Sequence, residues 1–206
     1  MRVAVVGGTG DFGLALAERL VDAGHDVVVG SRDGARAVEK GAEVGARGAV
    51  NDEAVHGVDL VVLAVKADAA LGTAESLVGP IGTTPVLSVA SELRFTKLGV
   101  LPGDGTHSLA ERTQELLGGP VVAGLHSLAA ATLSQGRAEG DAFVCGDDDA
   151  AKTLALEIAA ATVTGRALDA GPLAGARALE GLTAVIVNLN KRYRAHAGVR
   201  VTGIAP

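Results

Sequence analysis

The chain opens on a short apolar run, Val3-Ala4-Val5-Val6, which is cut off by Gly7-Gly8-Thr9-Gly10-Asp11-Phe12-Gly13. Four consecutive apolar residues suit a strand covered on both faces, and such strands belong to parallel sheets flanked by helices. Ala17, Leu20, Val21 and Gly24 follow at helical spacing, so the sequence predicts a helix over about residues 12–23 that stops near Gly24. A buried strand, a glycine turn and a helix in immediate succession make βαβ construction the expected architecture.

The rest of the chain keeps that rhythm. Residues 27–29, 60–65, 85–89, 121–125 and 143–145 read as further strands, with 166–169 as another candidate. Helices are predicted over 69–78 and 108–117, the second opening on the capping-box pattern Ser108-x-x-Glu111. Two more are expected, from Asp149 to about Thr162 and over 174–193, while residues 99–105 read as an irregular, mobile loop. The expected fold is a Rossmann-type α/β doubly wound, mostly parallel sheet with a small C-terminal helical and strand extension. Residues 1–146 would form the nucleotide-binding domain, and 147–206 a smaller region completing a substrate cleft.

Composition narrows the function classes. At 206 residues and 48% hydrophobic, the chain can bury one sizeable core. A net charge of −6, three Phe, one Tyr and no Trp offer little to nucleic acid, either for phosphates or for stacking bases. The single cysteine, Cys145, reads as a small buried hydrophobe and fits a reducing compartment. The opening apolar run is too short for a signal peptide, and no later run is long enough to cross a bilayer, so a soluble, cytoplasmic protein is expected.

Gly8-x-Gly10-x-x-Gly13 matches the dinucleotide fingerprint, and its place between strand and helix lends it weight. In that reading Gly8 makes the tight turn, Gly10 lets a pyrophosphate approach the backbone, and Gly13 lets helix and strand pack closely. The pyrophosphate meets amides at the positive end of the helix. The end of the second strand selects the nucleotide. An NAD site usually places an acid there for the ribose 2′-hydroxyl, whereas this chain has Gly30-Ser31-Arg32 and then Arg36. A hydroxyl and two guanidinium groups suit a 2′-phosphate, so NADP is the expected cofactor. Asp33 either points away or caps the following helix.

No acid–base constellation stands out. There is no metal-ligand pattern, and Asp147-Asp148-Asp149 reads as a helix cap, so no metal is expected. His126 follows a strand predicted to end at the ligand edge of the sheet. It is the candidate catalytic residue, as a polar contact for substrate or nicotinamide; a hydrogen-bonded structural histidine is the other reading. His25, His56, His107 and His196 read as surface residues. Such sparse chemistry suits a reaction between two redox carriers that the protein mainly orients.

Several segments together resemble NADP reductases that use coenzyme F420: Gly7-Gly8-Thr9-Gly10, Gly30-Ser31-Arg32, Leu125-His126-Ser127, Cys145-Gly146-Asp147-Asp148-Asp149 and Leu168-Asp169-Ala170-Gly171-Pro172-Leu173. The stretch 188–204, with Asn190-Lys191-Arg192-Tyr193 and Gly198-Val199-Arg200-Val201-Thr202-Gly203, is also similar. The resemblance implies reversible hydride transfer between NADP(H) and the deazaflavin coenzyme F420. It also implies that Thr9, Gly10, Asp11 and Phe12 contact the pyrophosphate and that Ser31, Arg32 and Arg36 hold the 2′-phosphate. Val65 and Ala69 would line the cofactor's path, Ala130 would lie near the nicotinamide, and His126 and Leu128 would sit where the two rings stack. The family forms homodimers.

Two departures fall near the expected ring-stacking site. Many members have Pro and an aromatic residue where this chain has Lys66-Ala67, and Ile-Pro where it has Leu128-Ala129. Lys66 is a cofactor-binding candidate with three readings: a cofactor phosphate, the acidic tail of the deazaflavin, or solvent. The rival functions are an NADP-dependent imine or carbonyl reductase, with His126 or Lys66 as proton donor, and an NADP-sensing module without turnover.

Overall fold

The structure is a computed structural model that describes residues 1–204. Its strands are β1 (Arg2–Val6), β2 (Asp26–Ser31), β3 (Arg47–Val50), β4 (Leu60–Leu63), β5 (Val86–Ser88), β6 (Leu93–Thr96), β7 (Gly99–Pro102), β8 (Val121–Gly124), β9 (Ala142–Gly146) and β10 (Ala167–Asp169). Its helices are α1 (Asp11–Asp22), α2 (Gly34–Glu43), α3 (Asn51–Ala54), α4 (Ala67–Ser76), α5 (Val78–Ile81), α6 (Leu109–Leu116), α7 (Ala130–Leu133), α8 (Asp149–Thr162) and α9 (Ala176–Tyr193).

Eight strands form one sheet in the order β10-β9-β8-β5-β4-β1-β2-β3. The six from β3 to β8 run parallel; β9 is antiparallel to β8, and β10 is parallel to β9. Successive residues of β1 feed opposite faces, as the strand period of two requires. Val3 and Val5 pack with Leu16 and Leu20 of α1 and Ile158 of α8. Ala4 and Val6 pack on the other face with Leu77, Ile81 and Ala110. Each fully buried Val or Leu in these layers contributes about 1.5–3 kcal/mol.

The order turns around at β1: the chain builds outward to β2 and β3, then returns to place β4 on the other side. A crevice therefore opens beyond the carboxyl ends of β1 and β4, where doubly wound sheets bind ligands. The turn after β1, Arg32 after β2, residues 64–66 after β4, Ser91 beyond β5 and His126 beyond β8 all lie at this edge.

Two expectations are corrected. Residues 99–102 form β7, paired with β6 in an antiparallel hairpin rather than a mobile loop. Asn188 of α9 fastens the hairpin: its Oδ1 accepts from the Val100 amide at 2.9 Å and its Nδ2 donates to the Val100 carbonyl at 2.7 Å. His25 is also not a surface group; its side chain is 7% exposed and sits beside Glu157. Elsewhere Ser108 and Glu111 make the capping box, and Asp148 caps α8 by accepting from the Ala151 amide at 2.8 Å. Asp147 instead accepts from the Leu173 amide, which ties α8 to the approach of α9. Among the described residues no helix is long and apolar enough to cross a membrane.

Candidate functional site

The glycine turn divides its work differently from the fingerprint's usual assignment. Gly7, not Gly8, takes the left-handed conformation, with φ of +80°, and a Cβ there would lie 2.6 Å from the Ala64 carbonyl oxygen. Gly8 does not take a left-handed φ, and its need for glycine is steric: a Cβ would meet the Val5 carbonyl oxygen at 2.7 Å. A Cβ on Gly13 would stand 2.6 Å from the Gly7 carbonyl oxygen, so this glycine seats α1 against the turn. Gly10 is comparatively open, its nearest neighbour being the Gly7 oxygen at 3.4 Å. No side chain caps the start of α1, which leaves the first-turn amides of Asp11, Phe12 and Gly13 available to an anion.

A cavity of about 730 Å³ lies against this turn. Thr9 and Gly10 form one wall, Ser31, Arg32 and Arg36 a second, and Val65, Lys66 and Ala69 a third. Asp33 caps α2 by accepting from the Arg36 amide at 3.1 Å, while its own amide donates to Ser31 Oγ at 3.2 Å. The carboxylate is thus engaged by the backbone, and the hydrogen of the Ser31 hydroxyl stays free. Asn51, at the start of α3, joins the lining with its Oδ1 buried and unpartnered. Sequence reasoning missed Asn51, because a lone Asn after a short, half-exposed strand carries no pattern.

A second cavity of about 250 Å³ shares residues 64–66 with the first. Phe12, Val89, Leu93, Leu125 and Leu128 give it apolar walls, while Ser91, His126 and Thr183 form a polar end. The structure therefore gathers Thr9, Gly10, Ser31, Arg32, Arg36 and Ala69 around the first space, and Phe12, His126 and Leu128 around the second. Val65 and Lys66 stand at the seam. Gly8 and Gly13 lie buried beneath the turn, and Asp11 and Ala130 line neither cavity.

His126 is presented by a strained turn. Leu125 has φ of 65°, a left-handed conformation that a branched side chain rarely adopts, and such strain concentrates at functional sites. The turn closes with the Leu128 amide donating to the Leu125 carbonyl at 3.0 Å, and Ser127 Oγ donates to the Asp141 carbonyl at 3.1 Å. His126 is buried, and loss of solvent pulls its pKa down to about 4, so the ring is neutral at pH 7. Its Nδ1 lies 3.1 Å from Ser91 Oγ, and its Nε2 is buried without a partner. Ser91 Oγ is 2.7 Å from Thr183 Oγ1, which donates to the His126 carbonyl at 2.9 Å. Ser91 and Thr183 were also missed: each is an ordinary polar residue until the fold brings them together.

This arrangement can hold a dinucleotide's phosphates in one space and a flat apolar ring in the other, with their reacting ends meeting at residues 64–66. Comparison with known proteins points the same way. The sequence profile described as NADP oxidoreductase, coenzyme F420-dependent, matches residues 2–92. The chain is 35% identical to the F420-dependent NADP reductase of Methanothermobacter marburgensis over 228 aligned positions, covering 99% of both chains. A crystal structure from Arthrobacter sp. FB24, of a protein described as a candidate F420-dependent NADP reductase, superposes with a TM-score of 0.82 at 24% identity, covering 98% of this chain and 99% of that one. An imine reductase from Streptomyces aurantiacus shares the fold at a TM-score of 0.61 and 22% identity, over 94% of this chain but only 62% of the imine reductase.

Proposed function

The chain belongs to the family of F420-dependent NADP reductases, and from that premise we propose that it transfers a hydride reversibly between NADP(H) and coenzyme F420. The observation that carries this reading is the pair of cavities meeting at residues 64–66, one built for phosphates and the other for an apolar ring. The nicotinamide and deazaflavin rings supply the redox chemistry when bound. Reduced F420 and NADP⁺ give F420, NADPH and one proton, so two electrons move with one hydrogen and the remaining proton goes to water.

The chain's own residues bind and orient. The turn from Gly8 to Gly13, with Thr9, Gly10, Asp11 and Phe12, receives the pyrophosphate at the uncapped start of α1. Ser31, Arg32 and Arg36 hold the 2′-phosphate. Val65 and Ala69 guide the cofactor toward the seam, and Ala130 flanks the nicotinamide end. Lys66 offers an ammonium group to the anionic part of either carrier, and Leu128 and His126 meet the rings in the second cavity. Residues 1–146 supply the NADP-binding domain. The region 147–206 completes the cleft, since Thr183 of α9 lines the second cavity. Exposed Phe95, Leu98, Val185 and Leu189 on the hairpin and α9 support a homodimer, and the lone buried cysteine fits the cytoplasm.

The imine or carbonyl reductase reading needs a proton donor at the ring. A histidine held near pKa 4 is hardly ever the imidazolium at neutral pH, and this disfavours His126 as that donor. The test mixes protein, NADPH and oxidised F420 and follows the deazaflavin absorbance. Bleaching of the F420 band in step with NADPH oxidation is expected; tight NADPH binding with an unchanged band would overturn the proposal.

The nucleotide assignment has its own test. Removing one charge-assisted contact of about 1.5–3 kcal/mol costs roughly tenfold or more in affinity. Arg32→Ala is therefore expected to weaken NADPH binding at least about tenfold while NADH binding stays within a factor of about two. Equal losses for both nucleotides in a fluorescence titration would move the 2′-phosphate elsewhere.

A further inference from the structure

His126, Ser91 and Thr183 form a closed ring of contacts: Nδ1 to Ser91 Oγ at 3.1 Å, Ser91 Oγ to Thr183 Oγ1 at 2.7 Å, and Thr183 Oγ1 to the His126 carbonyl at 2.9 Å. Each hydroxyl has one hydrogen to give. The carbonyl can only accept, so the Thr183 hydrogen goes there. Thr183 Oγ1 must then accept from Ser91, which leaves Ser91 Oγ as an acceptor toward the imidazole. All three contacts are made together only when Nδ1 carries the ring hydrogen. The other tautomer breaks one link and leaves a buried Nε2–H without an acceptor.

We infer that Ser91 and Thr183 are positioning residues that fix His126 as the Nδ1–H tautomer, so that its unpartnered Nε2 accepts a hydrogen bond from a ring N–H of the deazaflavin bound in the second cavity. The tautomer follows from the protein alone; the identity of the donor rests on the function proposed above. Two observations support the acceptor role. Nε2 is a buried lone pair with no protein donor on a residue that lines the cavity, and burial keeps the ring neutral, free to accept a hydrogen bond. The pyrimidine edge of a deazaflavin carries N–H groups of the required kind. The contact fixes the ring's position and moves no proton.

The experiment labels histidine with ¹⁵N in the whole protein and reads the two ring nitrogens of His126 at pH 7, assigned by their loss in His126→Gln. A protonated Nδ1 and a bare, pyridine-type Nε2 are expected. Adding F420 without NADP should move the Nε2 resonance upfield as it gains a donor. Ser91→Ala and Thr183→Val should each relax the tautomer toward a mixture and lower kcat about fivefold, with the KM for NADPH within about twofold. Thr183→Ser should restore both. A ring protonated on Nε2 in the wild type, or unchanged tautomers in both variants, would overturn the positioning role. An unmoved Nε2 resonance while F420 fluorescence reports binding would overturn the acceptor role alone. Absence of F420 binding and turnover would overturn the proposed function and the donor with it, leaving the tautomer result to stand separately.

Discussion

Gly13→Ala is expected to lower NADPH affinity by about a hundredfold or more and to destabilise the protein as well. The new Cβ would lie 2.6 Å from the Gly7 carbonyl oxygen and 2.8 Å from the Gly8 Cα. Both are backbone atoms of the turn, and Gly7 is already committed to its left-handed conformation with the Ala64 carbonyl beneath it. Nothing flexible can give way, so α1 must lift from the turn. Such overpacking typically costs about 1–3 kcal/mol of stability. The loss in binding is expected to be larger because the lifted helix carries its amides away from the place proposed for the pyrophosphate. Two charge-assisted hydrogen bonds at about 1.5–3 kcal/mol each exceed a hundredfold in affinity.

Gly10→Ala separates the two effects. Its Cβ would rest 3.4 Å from the nearest protein atom, the Gly7 oxygen, so the fold should tolerate it. If a pyrophosphate passes over Gly10, the methyl group stands in its way. NADPH binding should then fall while the melting temperature stays close to wild type. Thermal melts and NADPH titrations on both variants check this; a Gly10→Ala protein that binds NADPH normally would place the pyrophosphate away from this turn.

The features behind these expectations differ in how far they could be read in advance. Strand, turn and helix at the N-terminus were legible because their signals are local: an apolar run, spaced glycines and a helical period within a few residues of one another. The exchange of roles between Gly7 and Gly8 was not, since it depends on the Ala64 carbonyl arriving from β4. Residues 99–102, the second strand of the β6–β7 hairpin, read as a loop in the sequence because much of their support comes from Asn188, far along the chain on α9. His126 could be placed at the ligand edge from its position after a strand. Its partners could not, as Ser91 and Thr183 lie 35 and 57 residues from it in sequence and carry no motif.

Glu180→Gln is expected to raise stability by about 2–3 kcal/mol at pH 8 and to change little at pH 4.5. Glu180 is a buried carboxyl on α9, 5% exposed, whose Oε1 accepts from the Ala110 amide at 3.3 Å in the first turn of α6. Burial pushes its pKa from the ordinary 4.5 up to about 7, against the pull of the backbone amides, with the nearby Glu92 carboxylate adding to the rise. Between those two values the folded protein holds a proton that the unfolded chain has released. Stability therefore falls as pH climbs from 4.5 to 7, and above 7 the full penalty of a buried charge is in place. Glutamine keeps an oxygen for the Ala110 amide and has no charge to bury, so the gain should appear only on the alkaline side.

His126 acts with the opposite sign over an overlapping range. Its pKa is lowered from 6.5 to about 4, so the unfolded chain binds the extra proton there and stability rises with pH across that window. The two slopes offset each other in the wild type. Without Glu180 the rise set by His126, joined by that of His25, whose pKa burial also lowers, should be uncovered, with stability climbing from pH 4 to 6.5 and then levelling. Chemical denaturation at several pH values reads both effects, and a gain equal at pH 4.5 and pH 8 would show that Glu180 carries no buried-charge penalty. Glu180 lies one helical turn before Thr183, whose hydroxyl reaches the His126 carbonyl. A protein stabilised by Glu180→Gln but with a lower kcat would mark this carboxylate as stability given up to keep the second cavity in register.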